Sequence, residues 1–328
     1  MRNNIKIVYM GTSEFSSKIL EFLIEQKVNI VGVVSQPDKQ VGRKNKLENT
    51  PVKEVALKYG IEVFQPVSIK NDYTFIESKE PDIILTCAYG QIVPQGVLDI
   101  PKYKCINIHG SLLPKYRGAA PIQYSILNDE KETGITYMEM VKKMDAGAMY
   151  LKESVVIDNN DTSGDVFDKL LVQVKKTVIS FLDDFVEGKV VGVEQDENEV
   201  TFSKMIKRED ELIDWNDTKR NIHNKVRAFN QTPIAYTMLD DTNIKIFKGE
   251  EVDEVIDGEI GEVVKANKEG IYVRCVDGVY KIQTLQPAGK KVMEARDYLN
   301  GNKNIVGKKF YVREVLWECN KWCKRVIV

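Results

Sequence analysis

The sequence predicts an α/β protein: a doubly wound, mostly parallel sheet followed by a small β-barrel, with 328 residues enough for two cores. Three observations carry this. Residues 5–9 are apolar, Gly11-Thr12-Ser13 supplies a turn, Phe15, Ile19, Phe22 and Leu23 mark one helical face, and residues 30–35 are apolar again, which is how a parallel βαβ sheet opens. Residues 83–87 read as a buried strand, and residues 105–109 alternate polar and apolar. From about residue 206 the period changes, and short strand patterns recur at 235–239, 244–247, 259–264, 271–275 and 279–285, the spacing of a small barrel.

Taken in order, Ser13 is placed to cap the first helix. Gly11 is a weak dinucleotide signal, because no Gly-x-Gly-x-x-Gly follows it. Residues 36–51 read as a loop carrying Lys39, Arg43, Lys44 and Lys46, and Pro51 opens a short helix over 51–59. A Gly-bearing loop, 88–94, follows the strand at 83–87. Residues 134–140 alternate as another strand and lead to a loop with a single acid, Asp145. Thr162 and Asp165 have capping-box spacing ahead of a long helix whose face holds Val166, Leu170, Val174, Val178 and Phe181, and which Gly188 ends. The polar stretch after Lys189 reads as a linker, residues 218–229 as one helix with His223 on its surface, and Asp277-Gly278 as a hairpin turn. Among small barrels the OB-fold is the commonest that binds nucleic acid, so the second domain is expected to be OB-like.

Charge and cysteine usage narrow the function classes. Lys plus Arg total 47 against 49 acids, so there is no overall nucleic-acid signature. From Lys290 onward, however, ten bases face four acids, which suits a polyanionic partner. Five cysteines form no Cys-x-x-Cys pair and there are two histidines, which argues against zinc and against a disulfide framework. The start has no long apolar segment, so a cytoplasmic protein without a membrane anchor is expected.

The chemistry concentrates in residues 106–123, Ile-Asn-Ile-His-Gly-Ser-Leu-Leu-Pro-Lys-Tyr-Arg-Gly-Ala-Ala-Pro-Ile-Gln. Two residues of strand rise put the Asn107 and His109 side chains on one face, roughly 6–7 Å apart. A carboxamide beside an imidazole at a strand's carboxyl end is where an open α/β sheet places its chemistry. Alone, the pair is more simply read as a polar strand face meeting solvent. Ser111-Leu112-Leu113-Pro114 is an apolar turn with little reason to be exposed, and the small residues after Arg117 let backbone approach a ligand.

With these residues the chain resembles the folate-dependent formyltransferases, in the form found in members that act on charged tRNA. Purine-pathway members share Asn-x-His and Ser-Leu-Leu-Pro but carry Pro where Gly110 stands and lack the Arg-Gly-Ala-Ala-Pro-Ile run. Gln36-Pro37-Asp38, Gly42-Arg43, Asp145-Ala146-Gly147, Ile213-Asp214-Trp215, Arg227-Ala228-Phe229-Asn230 and Gln286-Pro287-Ala288-Gly289-Lys290-Lys291 extend the likeness along the chain. Ser13 and Gln231-Thr232-Pro233 depart from it, and residues 311–328 have no counterpart in it.

The resemblance implies a formyltransferase-like variant of the Rossmann sheet over residues 1–189, a linker at 190–205, an OB-like tRNA-binding domain over 206–310, and a tail of unknown role at 311–328. It implies 10-formyltetrahydrofolate as formyl donor and the free α-amino group of initiator methionyl-tRNA as acceptor, with no metal, on a monomer. Asn107, His109 and Asp145 would be catalytic: Asn107 donating to the developing oxyanion, His109 moving protons, and Asp145 orienting the imidazole. Ser111, Leu112, Leu113 and Pro114, with Tyr89 and Gly90, would hold the folate. Arg43, Lys44, Lys46, Lys290 and Lys291 would meet tRNA. Two other readings stay open: formyl transfer to an amino-sugar nucleotide on the same first domain, and a tRNA-binding protein without catalysis.

Overall fold

The structure, a computed structural model, describes residues 4–41 and 46–310; Arg43 and Lys44 therefore lie outside the described residues, as does the tail. The chain divides into two units. One takes the described residues up to 121 together with 132–156 and 166–204; the other takes 122–131, 157–165 and residues from 205 onward. Two short pieces of the first half thus belong to the second unit, and the stretch 190–204, expected as a linker, belongs to the first.

In chain order the first unit contains β1 (Ile7–Gly11), β2 (Ile30–Val34), β3 (Lys39–Val41), β4 (Lys46–Glu48), β5 (Val63–Phe64), β6 (Ile83–Cys87), β7 (Lys104–His109), β8 (Arg117–Gly118), β9 (Glu132–Glu139), β10 (Met149–Val156) and β11 (Phe202–Ser203). Seven of them form one sheet in the order β10-β9-β7-β6-β1-β2-β5. The pairs from β5 through β7 are parallel, and β9 and β10 add an antiparallel edge. β1 and β6 are buried throughout, which explains their nearly unbroken apolar sequence. Both faces are covered. Val8, Met10, Ile84 and Cys105 pack on one side with Ile76 and Val97. On the other, the Tyr9 hydroxyl donates to the Ser16 carbonyl in the helix Glu14–Glu25, at 2.8 Å, and Tyr137 stacks at 4.3 Å on Phe181 of the helix Ser163–Val186.

Two details refine the sequence reading. Residues 36–51 are not simply a loop: β3 and β4 pair antiparallel, so backbone hydrogen bonds support the basic segment at its base. The capping box is present, with Asp165 N–H donating to Thr162 Oγ1 at 3.2 Å and Thr162 N–H returning to the Asp165 carboxylate at 2.8 Å.

The second unit holds β12 (Tyr236–Leu239), β13 (Thr242–Val252), β14 (Val263–Asn267), β15 (Gly270–Cys275), β16 (Gly278–Pro287) and β17 (Met293–Glu294). Its antiparallel sheet runs β12-β13-β16-β15-β14, with β17 on β16. Along this path the sheet is open; Phe310 bridges Leu239 and Lys309 bridges Glu262. The strand expected at 259–264 begins only at Val263, because residues 259–262 turn, with Glu262 N–H bonding the Glu259 carbonyl at 2.9 Å. Fully buried Trp215 donates Nε1–H to Thr237 Oγ1 at 2.9 Å and stacks on Phe310 at 5.6 Å.

His223 is a correction. It is buried, not on the surface, because Arg220, His223 and Arg227 fall on one stripe of the helix Lys219–Ala228, and that stripe faces residues 158–161.

Candidate active site

Sheet alternation decides which side chains meet at the reaction end. Asn107 pairs with Thr86 of β6 and Met138 of β9, and the one-residue intervals of β7 send Cys105, Asn107 and His109 to a common face. The chain then leaves the sheet at Gly110. Its return is fixed by β8, which pairs parallel with β11. Gly118 is required there: φ is +125°, and a Cβ would lie 2.2 Å from the Ser203 carbonyl oxygen.

His109 is buried, and both ring nitrogens have defined neighbours. Nε2 lies 2.9 Å from the Tyr116 carbonyl oxygen, which can only accept, so this nitrogen carries the proton. Nδ1 faces Asp145 Oδ2 at 3.7 Å, within ion-pair range but longer than a hydrogen bond. The same Oδ2 accepts from the Gly118 backbone N–H at 2.9 Å, which anchors the carboxylate. Asp145 has left-handed backbone, φ +49°, in the loop between β9 and β10. The structure thus brings His109 and Asp145 together, and puts Asn107, half-buried, two residues before His109 on the same strand face.

The residues expected to hold folate lie at this end too. Leu113 and Pro114 are buried, which resolves why an apolar Ser-Leu-Leu-Pro turn exists. Ser111 donates its hydroxyl to the Lys115 carbonyl at 2.6 Å, and Thr136 ties the turn to β9 by donating to the Ser111 carbonyl and accepting from Leu113 N–H. Leu112 is half-buried. Tyr89 follows β6 and is buried, with its carbonyl accepting from Thr12 Oγ1 at 2.8 Å, while Gly90 is exposed at φ +93°. The hydroxyls of Thr86 and Tyr89 are buried without a hydrogen-bond partner. Buried polar groups ordinarily have one, so this end of the sheet suits a ligand with polar edges.

Of the expected tRNA contacts, Lys46 is exposed on β4, and Lys290 and Lys291 are exposed after β16. Sequence reasoning missed Gln195, Glu197, Thr201 and Ser203, which all support the site from the stretch expected as linker. Gln195 donates to the Asp145 and Gly147 carbonyls, and Arg117 donates to Gln195 and Glu197. No local signal could have found them, since each partner is dozens of residues away. Among the described residues no group of three His, Cys, Asp or Glu is set to hold a metal, and no helix is long and apolar enough to cross a membrane.

Comparison with known proteins agrees over most of the chain. A formyl transferase family model matches residues 4–182, and a formyl transferase C-terminal domain model matches residues 205–303. A methionyl-tRNA formyltransferase of Mesoplasma florum is 44% identical over 299 residues, 91% of this chain and 96% of that protein. One from Bacillus cereus strain G9842 is 44% identical over 309 residues, 93% of this chain and 98% of that one. Among solved structures, HypX from Aquifex aeolicus in complex with tetrahydrofolic acid aligns with a TM-score of 0.63 at 18% identity over 92% of this chain, which spans about half of HypX (48%). WlaRD, a sugar 3N-formyl transferase, aligns at 0.62 with 22% identity, covering 88% of this chain and 99% of its own. At these identities the structural likeness is one of fold.

Proposed function

The chain belongs to the formyl transferase family, and from that premise we propose that it moves the formyl group of 10-formyltetrahydrofolate to the free α-amino group of initiator methionyl-tRNA. It does so as a cytoplasmic monomer. The observation that carries the acceptor is the pair of relatives at 44% identity over more than nine-tenths of the chain, both methionyl-tRNA formyltransferases. The folate donor is supported by the two buried, unpartnered hydroxyls of Thr86 in β6 and Tyr89 just after it, and by the buried apolar turn Leu113-Pro114 that Thr136 ties to β9. When bound, the folate supplies the formyl carbon.

The chain's own groups do the rest. Negative charge develops on the formyl oxygen as the amine attacks, and the Asn107 carboxamide N–H, preset on a strand, donates to it. Because Nε2–H of His109 is committed to the Tyr116 carbonyl, Nδ1 is the nitrogen able to take the proton that the amine gives up. The imidazolium so formed faces the Asp145 carboxylate, which offsets its charge. The proton then passes to the departing folate nitrogen. Ser111, Leu112, Leu113, Pro114, Tyr89 and Gly90 line the donor's place. The second unit binds tRNA as an OB-like barrel, a reading supported by the bridges of Lys309 and Phe310 to Glu262 and Leu239 at the sheet's two edges. Lys290 and Lys291, with Arg43, Lys44 and Lys46 of the first unit, meet phosphates.

The test is direct. Purified protein is incubated with 10-formyltetrahydrofolate and either methionyl-tRNA, uncharged tRNA or an amino-sugar nucleotide. Formylation of the charged tRNA alone is expected; efficient formylation of the sugar nucleotide, with methionyl-tRNA inert, would overturn the proposal.

A further inference from the structure

Residues 193–203 run outside the seven-stranded sheet yet are tied to its reaction end at three places. Val193 and Met149 exchange both backbone hydrogen bonds at 2.8 Å. Thr201 accepts from Arg117 N–H through its carbonyl and from Tyr116 N–H through its hydroxyl, both at 2.9 Å, and the Ser203 carbonyl accepts from Ala119 N–H at 2.8 Å. Between these ties sits Gln195, buried. Its Nε2 donates to the carbonyls of Asp145 and Gly147, each at 2.8 Å, and its Oε1 accepts from Arg117 Nε at 2.9 Å.

The amide has no freedom left. A guanidinium can only donate, so Arg117 fixes which end of the amide is oxygen, and both amide protons must then go to the loop carbonyls. Arg117 is itself completely buried, and its Nη2 is held by Glu197 at 3.0 Å, which Lys143 holds in turn at 2.6 Å. Asp145 meanwhile sits in left-handed backbone, a conformation that a residue other than Gly keeps only when its surroundings impose it.

We infer that Gln195, oriented by Arg117, is a positioning residue for formyl transfer: by gripping the backbone on either side of Ala146 it sets how far the Asp145 carboxylate stands from His109 Nδ1. The inference rests on the roles proposed above for His109 and Asp145. Asp145 lies 3.7 Å from His109 Nδ1, and Arg117 and Lys143 are both paired with Glu197. Loosening the loop lets the carboxylate move away from Nδ1, so it offsets less of the charge that the ring carries during transfer.

Gln195→Glu and Gln195→Ala in the full chain test this. Glu keeps the size and the acceptor for Arg117 but has no N–H for the two carbonyls. We expect kcat to fall about 10- to 100-fold in both, the cost of misplacing a catalytic group by a fraction of an ångström to an ångström, with the KM of each substrate unchanged. The chain has two histidines, so their ring C–H resonances can be followed separately by NMR. The ring C–H resonances of His109 should shift while those of His223 stay, and both variants should remain folded. Unchanged kcat and unchanged His109 resonances in a folded Gln195→Glu protein would overturn the inference. So would a lowered melting temperature with both histidines displaced alike, which marks a merely structural residue. His109→Asn is assayed alongside. Full turnover there would mean that the reading of the site had failed; loss there with normal Gln195 variants would mean that only this inference had.

Discussion

The chain's two histidines stand in two different regions, and both present Nε2 to a backbone carbonyl: His109 to Tyr116 at 2.9 Å, His223 to Asn159 at 3.1 Å. Both are buried. They differ on the other nitrogen. Nδ1 of His109 looks at a carboxylate, whereas Nδ1 of His223 looks at the Tyr280 hydroxyl, 3.4 Å away, and its helix neighbours Arg220 and Arg227 are cations. Burial, together with those two arginines, holds the His223 pKa below its ordinary value, against the Asn159 carbonyl and Glu251. The same tether thus leaves one imidazole facing a carboxylate and the other, beside two cations, harder to protonate. Both rings are buried, and what differs on the far side is the charge they meet: a carboxylate at His109, two arginines at His223.

The surroundings of His223 show what that second region is built for. Arg220 donates Nε–H to Asp129 at 2.9 Å and Nη1–H to Glu251 at 3.2 Å, while Arg227 Nη1 donates to the Asp158 and Asp161 carbonyls at 3.2 and 3.1 Å. Residues 122–131 and 157–165 are thereby bound into the second unit by charge-assisted hydrogen bonds. Burial alone would raise the Asp129 pKa; hydrogen bonds from Arg220 and Lys131 outweigh it and bring the carboxyl down to about 2.

The sharpest way to break the comparison is His109→Asn, which keeps a polar side chain and removes the imidazole. Turnover should drop by about 10²–10⁴-fold, the usual worth of a general acid–base group, with folate affinity by calorimetry preserved. Near-normal turnover would put His109 on the same footing as His223.

Asp129→Asn tests the second region's ion network. Asp129 is about one-third exposed (35%), so the expected loss at pH 7 is ~1–2 kcal/mol, between an exposed and a buried pair. Since the folded carboxyl titrates below its ordinary value of 3.8, its contribution is complete above that pH and fades as the pH falls toward 2. Melting curves of parent and variant should therefore differ at neutral pH and converge in strong acid; a constant gap would show that lost packing, not charge, is responsible.

If the second region acts through its surface while its histidine stays inert, exposed lysines should matter to substrate binding. Lys290→Ala with Lys291→Ala should raise the KM for methionyl-tRNA, leave the KM for formylfolate alone, and flatten the salt slope by about 1–2 in log–log units as two phosphate contacts go. Equal weakening for both substrates would point to damage elsewhere.

The smallest effect is expected from His223→Gln, which can still donate to the Asn159 carbonyl. The unfolded chain takes up a proton near the ordinary pKa of 6.5, while folded His223 resists it, so its contribution is whole above that pH and declines as pH falls below. The variant should lose this decline between neutral and mildly acidic pH, measured by thermal melts, and should keep turnover. A variant with impaired kcat would contradict the division between the two imidazoles.

What the sequence determined alone is what period and local chemistry write into adjacent residues. The alternation of 105–109 gives Asn107 and His109 a shared face, and β1 and β6 announce themselves by apolar runs because both their faces are covered. The turn chemistry of Gly188 and of Thr162 with Asp165 is equally local. Only tertiary structure decided the rest, since the partners are far apart along the chain. Gln195 sits in a polar stretch that resembles any solvated linker, yet its hydrogen bonds reach residues 50 and 78 positions away. Residues 122–131 and 157–165 join the second unit through Arg220, up to 91 positions from its partner Asp129. His223 has the spacing of a surface residue on a strongly polar helix, and its burial follows from which stripe the neighbouring segments chose to cover. An amide or an imidazole has the same local signature in water as in a core; what differs is the distant group that replaces water, and no window of sequence contains both.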